Sequence, residues 1–141
     1  MADRPLGSPA GVGNLPVVEL GPGLTLPILP NNDKLRSALH LAKGTRCLGL
    51  GLEGANKAFL RPGQMAKSGI LCLARQATPR FYAMAFALKQ KAGPGIHWFA
   101  VDLSGESLGN MLFVGKEKTL QAVFIDRPSA VDRFLSMVNL T

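Results

Sequence analysis

The residues with the clearest chemical pattern are the cations in the middle of the chain. Residues 54–101 contain no Asp or Glu, and the whole chain has a formal net charge of +7. The cations of this acid-free segment are Lys57, Arg61, Lys67, Arg75, Arg80, Lys89 and Lys91. Lysines and arginines without neighbouring acids produce a positive field, which attracts phosphate backbones through charge and counterion release.

Aromatic residues are interleaved with these cations. Tyr82 and Trp98 are the only Tyr and Trp of the chain, and such rings can stack on the bases of single strands. The pattern therefore favours a nucleic-acid-binding protein whose seven central cations contact phosphates and whose Tyr82 and Trp98 stack on bases. We expect single-stranded DNA or RNA as the ligand, with little sequence preference, because a basic rim around a sheet suits an unpaired strand.

The composition supports a second class of function, a protein–protein interaction module such as an assembly component, inhibitor or adaptor. Hydrophobic residues make up 47% of the chain and charged residues only 18%, below the typical quarter for soluble domains. Surplus apolar surface usually marks an interface, so we expect a homo-oligomer or a protein partner. Salt separates the two classes, because only phosphate-dominated binding weakens steeply as salt rises.

Catalytic chemistry is not indicated by the residues available. The chain has two histidines, His40 and His97, and no G-x-S-x-G motif to mark an activated serine. A triad assembled in space from His97 and Asp102 is the remaining arrangement. A metal site needs three or four ligands with compatible reach, which two isolated histidines and two isolated cysteines do not suggest. We therefore expect a protein that is not an enzyme and holds no metal.

The glycines from Gly49 to Gly54 match the spacing G-x-G-x-x-G of dinucleotide-binding turns. Such a turn is followed by a helix and, about 20 residues later, by an acid that binds ribose. Here Pro62 would cut a helix short, and no acid occurs between Gly54 and Asp102. The sequence therefore favours the interpretation that these glycines belong to a strand and the turn after it. We expect the protein to bind no cofactor.

The two cysteines and the apolar runs bear on the compartment. Cys47 and Cys72 both lie in apolar surroundings, where a free cysteine behaves as a small buried hydrophobe. The first residues lack the basic and apolar regions of a secretory signal. The longest apolar run, residues 81–88, is far shorter than the ~20 residues that span a bilayer. We expect a cytoplasmic or otherwise intracellular protein that does not associate with membranes.

Hydrophobic periodicity and capping residues predict the elements. Residues 1–31 are rich in proline and glycine and predict an extended, partly mobile arm; its apolar pieces at 15–20 and 24–29 could lie as strands on the domain or on a neighbour. A helix is predicted at about 32–43, ended by Gly44 in a left-handed conformation. A second helix is predicted at about 127–139, with Asp126 or Ser129 as its cap. Strands are predicted at 45–52, 69–75, 96–103, 111–114 and 119–125, with loops at 53–68 and 104–110.

Residues 79–92 fit two structures. Large and small residues alternate from Phe81 to Leu88, as in a strand. Thr78 as a cap, Pro79 in the first turn and the many alanines favour a helix instead. We choose the strand, because residues 96–103 could then complete a hairpin with it.

Together these elements predict an α+β fold with a largely antiparallel sheet of about five to six short strands. Residues 32–141 form one domain, preceded by the arm at 1–31. The two amphipathic helices cover one face of the sheet, and the other face is solvated or binds a ligand. Leu39 and Phe134 are expected in the core.

Overall fold

The computed structural model describes residues 14–60 and 68–140 of the chain. Proline-flanked apolar pieces form the first two strands, and amphipathic segments with polar or glycine starts form the helices between the later ones. The elements in chain order are β1 (Val17–Gly21), β2 (Leu24–Leu29), α1 (Asp33–Gly44), β3 (Leu48–Leu50), α2 (Leu52–Phe59), β4 (Gly69–Arg75), α3 (Pro79–Lys91), β5 (Ile96–Ser104), α4 (Gly105–Leu112), β6 (Ala122–Ile125) and α5 (Pro128–Met137).

The strands form one mixed six-stranded sheet in the order β1-β2-β5-β4-β6-β3. β5 pairs in parallel with both β2 and β4, whereas the other three pairings are antiparallel. The α+β class and the number of strands are confirmed. The largely antiparallel sheet is confirmed only in part, because three of the five strand pairings are antiparallel. The two predicted helices are present, but the described residues form five helices. Parallel neighbours arise because α3 carries the chain back across the sheet between β4 and β5, as a parallel pairing requires.

Residues 79–91 form a helix, so the predicted strand and its hairpin with residues 96–103 are wrong. The Thr78 side chain accepts a hydrogen bond from the Phe81 amide at 3.1 Å, and Pro79 occupies the first turn. Tyr82, Ala85 and Leu88 are buried, and their three-residue spacing places them on one helical face. The alternation was misleading because alanine packs as readily on an exposed helical face as on a strand.

Two short helices lie where loops and a strand were predicted. Residues 52–59 form α2 instead of part of the 53–68 loop, and residues 105–112 form α4 instead of the 104–110 turn and the start of the 111–114 strand. Glycine lowers helix propensity by about 1 kcal/mol relative to alanine. Gly54, Gly105 and Gly109 therefore conceal these helices from a propensity argument, although α4 buries Leu108 and Leu112 fully.

The first and last predicted helices are confirmed as α1 and α5. The Asn32 side chain caps α1 by accepting from the Leu35 amide at 2.9 Å. Gly44 stays helical, and the left-handed residue after α1 is Arg46, with φ 60°. In α5 the N-cap is Arg127 without a side-chain cap, so the predicted caps Asp126 and Ser129 are wrong: Pro128 starts this helix with a fixed φ and no amide hydrogen to satisfy.

Both faces of the sheet are covered by helices, which corrects the prediction of one open face. α1, α4 and α5 contribute to one core cluster, in which Leu39 and Phe134 are 0% and 2% exposed, as expected. α2 and α3 contribute to a second cluster with Phe59, Trp98 and Phe124. The architecture is therefore three layers, helix–sheet–helix.

The predicted arm contributes two strands to this sheet. β1 and β2 form an antiparallel hairpin, and β2 pairs with β5 through Ile28 opposite Ala100. Leu24, Leu26 and Leu29 are buried. Residues 1–13 of the predicted arm lie outside the described ranges.

Gly109 provides a test of the contact between α4 and the segment that leads to β6. A Cβ atom there would lie 1.7 Å from the Lys118 carbonyl oxygen, whereas a Cβ on Gly44, also helical, would meet nothing within 4 Å. Gly109→Ala should lower the free energy of unfolding by about 2 kcal/mol or more, because backbone must move to admit it. Gly44→Ala should raise it by about 0.5 kcal/mol. Urea unfolding measures both; equal effects would contradict the packing described here.

Candidate nucleic-acid interface

The structure collects four of the predicted phosphate contacts on one helical layer. β4 up to Ala74 and the centre of β5 are buried, so the cations of this segment that the structure describes lie on helices and at a strand end. Lys57 lies in the last turn of α2, Arg80 in the first turn of α3, and Lys89 and Lys91 in its last turn. All four are exposed. We call the exposed parts of α2 and α3 that carry them the α2/α3 surface.

A groove of about 380 Å³ runs between the two helices of this surface. Its lining residues are Leu52, Glu53, Asn56, Met84, Ala87, Leu88 and Lys91. Leu52 and Leu88 are buried, whereas the Met84 side chain is 54% exposed. The groove thus combines an apolar floor with an amide, a carboxylate and an ammonium group at its rim.

Glu53 is the one acidic residue of α2, and its carboxylate lies 3.8 Å from the Lys57 ammonium group. Both side chains are mostly exposed, and exposed pairs of this kind contribute about 0.3–0.5 kcal/mol. A phosphate can therefore compete for Lys57 at little cost. α3 contains no acidic residue.

Arg75 lies on neither α2 nor α3 but at the carboxyl end of β4. Its Nη1 atom is 2.9 Å from Oδ1 of Asp102 at the end of the neighbouring strand β5. Arg75 is thus partly neutralised by an acid that lies one residue outside the acid-free segment. Arg61 and Lys67 of the predicted set lie outside the described residues.

Tyr82 and Trp98 lie in the core rather than on a surface. They are 5% and 8% exposed. The Tyr82 hydroxyl donates to the Ala74 carbonyl oxygen at 2.6 Å and accepts from the Ala77 amide at 3.1 Å. Neither ring presents a face to a base, so both residues have structural positions: the hydroxyl of Tyr82 ties the start of α3 to the end of β4.

His97 and Asp102 are not brought together. His97 begins β5 and Asp102 lies near its other end, about 17 Å apart at the rise of a strand. Burial lowers the pKa of half-buried His97, and the negative charge of Asp132 partly opposes this shift. Within residues 14–60 and 68–140 no group of three His, Cys, Asp or Glu side chains could hold a metal ion.

The G-x-G-x-x-G glycines have a packing role. A Cβ atom on Gly49 would lie 2.1 Å from the ring of Phe124, and one on Gly54 would lie 3.0 Å from it. Gly51 precedes α2 with φ 85°, a conformation that favours glycine. A helix does follow this turn, contrary to the prediction, but the closely packed Phe124 ring accounts for the first and third glycines.

Charge counting along the chain missed a second group of cations, in the opposite helical layer. The ammonium groups of Lys43 and Lys118 lie 4.5 and 4.4 Å from the centroid of the Phe113 ring. These lysines are far apart in sequence: Lys43 lies in a shorter acid-free run, residues 34–52, whereas Lys118 directly follows Glu117, so no single run joins them. Cys47 and Cys72 are both free, and burial raises the pKa of the Cys72 thiol to about 12.

Comparison with known proteins gives likenesses of structure only. The chain matches no protein-family model and no curated protein. A protein of unknown function from Bacillus halodurans is similar in structure, with a TM-score of 0.55, 19% identity, and coverage of 77% of this chain and 99% of that one. The Giardia lamblia 15.5 kD RNA-binding protein is also similar, with a TM-score of 0.56, 15% identity, and coverage of 75% and 82%. These likenesses show a shared fold.

No helix in the described ranges is both long enough and apolar enough to cross a membrane.

Tyr82→Phe tests the structural position of Tyr82. Removing the hydroxyl leaves the Ala74 carbonyl oxygen and the Ala77 amide without this partner, so the free energy of unfolding should fall by about 1–2 kcal/mol. Oligonucleotide affinity, measured by fluorescence anisotropy under folding conditions, should not change. Loss of affinity without loss of stability would instead identify Tyr82 as a contact residue.

His97 predicts a pH dependence of stability. Its folded-state pKa is below the ordinary value of 6.5, so below that pH the unfolded chain binds a proton more readily than the folded one. Stability should therefore fall as the pH is lowered from 7 towards 5. His97→Gln should reduce this slope in urea titrations at several pH values, and an unchanged slope would contradict the assignment.

Proposed function

We propose that this protein is a non-enzymatic nucleic-acid-binding protein that contacts phosphates through the α2/α3 surface. The observation that carries the proposal is the placement of Lys57, Arg80, Lys89 and Lys91 on one exposed helical layer with a single acid, Glu53. Such a layer attracts polyanions whatever their sequence, because phosphate contacts carry no sequence information.

The dimensions of α3 suit a nucleic-acid strand. Its 13 residues span about 20 Å at 1.5 Å per residue. Arg80 lies at one end, and Lys89 and Lys91 lie at the other. A stacked strand advances about 3.4 Å per phosphate, so these cations can contact phosphates several nucleotides apart.

The groove between α2 and α3 supports the preference for an unpaired strand. Its apolar floor, formed by Leu52 and Leu88 beside Met84, can receive a base that is not stacked in a duplex. Asn56 and Glu53 at the rim supply both donor and acceptor groups for the base edge. The sequence predicted that Tyr82 and Trp98 stack on bases, but both are buried. In this proposal the groove receives the base instead.

RNA is the first ligand to test. The Giardia protein with the same fold is described as RNA-binding, and sequence-tolerant recognition of single strands by cations is common to RNA and DNA. Binding to DNA of the same sequence and length is the direct comparison.

A charge-reversal pair tests the α2/α3 surface. Lys89→Glu with Lys91→Glu should weaken binding of a labelled single-stranded RNA about tenfold or more at 0.1 M salt. The slope of log affinity against log salt should fall by about 2, one for each lost phosphate contact. Fluorescence anisotropy across a salt series measures both quantities.

The matched control is Lys34→Glu with Lys116→Glu, which changes the net charge equally on exposed residues outside α2 and α3. We expect this control to weaken binding less and to leave the slope nearly unchanged. Equal losses in the two variants would mean that only net charge matters, and the assignment to the α2/α3 surface would be wrong. Absence of RNA binding by the wild type even at low salt would favour the protein-interaction class.

A further inference from the structure

A crevice lies at the carboxyl ends of the two central parallel strands. After β4 the chain turns into α3 on one face of the sheet, and after β5 it turns into α4 on the other. Strand ends whose connections leave in opposite directions open a gap between them, and ligands of open α/β sheets bind in such gaps.

The crevice has a volume of about 420 Å³ and is mainly polar. The polar residues that line it are Asn31, Arg75, Gln76, Asp102, Ser104 and Ser107. Pockets of 300–1,000 Å³ with a few convergent polar groups are typical of small-molecule sites. This volume is at the lower end of that range and is large enough for a sugar phosphate or a mononucleotide.

An ion pair crosses the mouth of the crevice. Arg75 donates from Nη1 to Oδ1 of Asp102 at 2.9 Å, and the two side chains are 46% and 52% exposed. The guanidinium group has further N–H donors for an anion. Among the described residues, Arg75 is the only side chain that donates a hydrogen bond to Asp102, so its second oxygen can accept from a ligand.

The remaining polar groups of the crevice differ in whether they are free to bond to a ligand. The Ser104 hydroxyl caps α4 by accepting from the Ser107 amide at 3.1 Å, and it also donates to the Ser107 hydroxyl. Ser107 therefore has its own hydroxyl hydrogen to offer to a ligand. Gln76, which follows Arg75 in a left-handed conformation with φ 66°, places an amide beside the same opening. Non-glycine residues rarely adopt this conformation, and such strained positions cluster at ligand sites.

We propose that this crevice binds a ribose phosphate group. Arg75 and the Ser107 hydroxyl would hold the phosphate, and the Asp102 carboxylate would accept hydrogen bonds from the ribose hydroxyls. The ligand chemistry matches both halves of the ion pair, an anion for the guanidinium and a diol for the carboxylate. A simple anion would bond to Arg75 and Ser107 but would meet the repulsion of Asp102 without a hydroxyl group to donate to that carboxylate.

The ribose phosphate has two sources, a free mononucleotide or the phosphorylated end of an RNA strand. The crevice lies at the carboxyl ends of two central strands, and its lining includes none of the four cations of the proposed function, Lys57, Arg80, Lys89 and Lys91. It is therefore separate from the contacts in that proposal. Only binding of an RNA end depends on the proposed nucleic-acid-binding function.

Calorimetry with ribose 5-phosphate, inorganic phosphate and ribose tests the crevice, and Asp102→Asn is the informative variant. It should weaken ribose 5-phosphate binding about tenfold, the loss of one charge-assisted hydrogen bond. It should not weaken binding of inorganic phosphate, because Arg75 loses its competing partner. Ser107→Ala should weaken binding of both phosphate ligands.

Three results would overturn the inference. They are the absence of ribose 5-phosphate binding at millimolar concentration, binding no tighter than that of inorganic phosphate, and unchanged or tighter ribose 5-phosphate binding by Asp102→Asn. Circular dichroism checks that each variant is folded.

Oligonucleotides with and without a 5′ phosphate distinguish the sources. Preference of wild type for the phosphorylated strand, lost in Asp102→Asn, would assign the RNA end; equal affinity for both strands, with ribose 5-phosphate still bound, would assign the free mononucleotide. Lys89→Glu with Lys91→Glu should leave ribose 5-phosphate binding intact. If that variant also keeps full RNA affinity, the proposed function fails while the crevice assignment stands.

Discussion

The burial of β4 on both faces is the constraint on which the rest of the structure depends. All residues of this strand except Arg75 are buried, and it is hydrogen-bonded to β5 on one side and to β6 on the other. A strand buried on both faces needs a helical layer on each, and it cannot carry charged residues along its length. Arg75 appears only at the point where the strand reaches the edge of the sheet.

This constraint decides where the positive charge of the central segment lies. The segment includes the buried parts of two strands, so those of its cations that the structure describes lie on α2, on α3 and at the end of β4. Because α2 and α3 pack on the same face, residues separated by more than 30 positions in sequence, such as Asn56 and Lys91, line one groove. The basic surface is thus a consequence of where the core excludes charge.

The same arrangement creates the polar crevice at the sheet edge. α3 and α4 leave adjacent parallel strands towards opposite layers, so neither helix closes the gap between the strand ends. Arg75 and Asp102 line that gap as the first exposed residues after the buried parts of their strands. Asp102, the first acid after the acid-free segment, therefore lies beside Arg75, a cation of that segment 27 residues away in sequence. This ion pair depends on the parallel register of β4 and β5.

Local signals in the sequence were sufficient for α1, α5 and the long strands β4 and β5. Asn32 and Pro128 mark helix starts by capping and by fixed φ, and the apolar run 69–75 is too continuous for an exposed element. Local signals were insufficient for α2 and α4, where glycines required by Phe124 and by the Lys118 carbonyl resemble those of loops. For residues 79–91 the helix cap at Thr78 was visible, but alternation of alanines with large residues was equally compatible with a strand.

The sequence by itself determined that the central segment is basic, that the chain has an α+β fold, and that Leu39 and Phe134 belong to the core. These properties follow from composition and from short-range periodicity. Only the tertiary structure decided that the sheet is mixed and covered on both faces, that Tyr82 and Trp98 are buried, and that Arg75 meets Asp102. These properties depend on which strands become neighbours, and strand pairing is settled by packing between residues distant in the chain rather than by local preference.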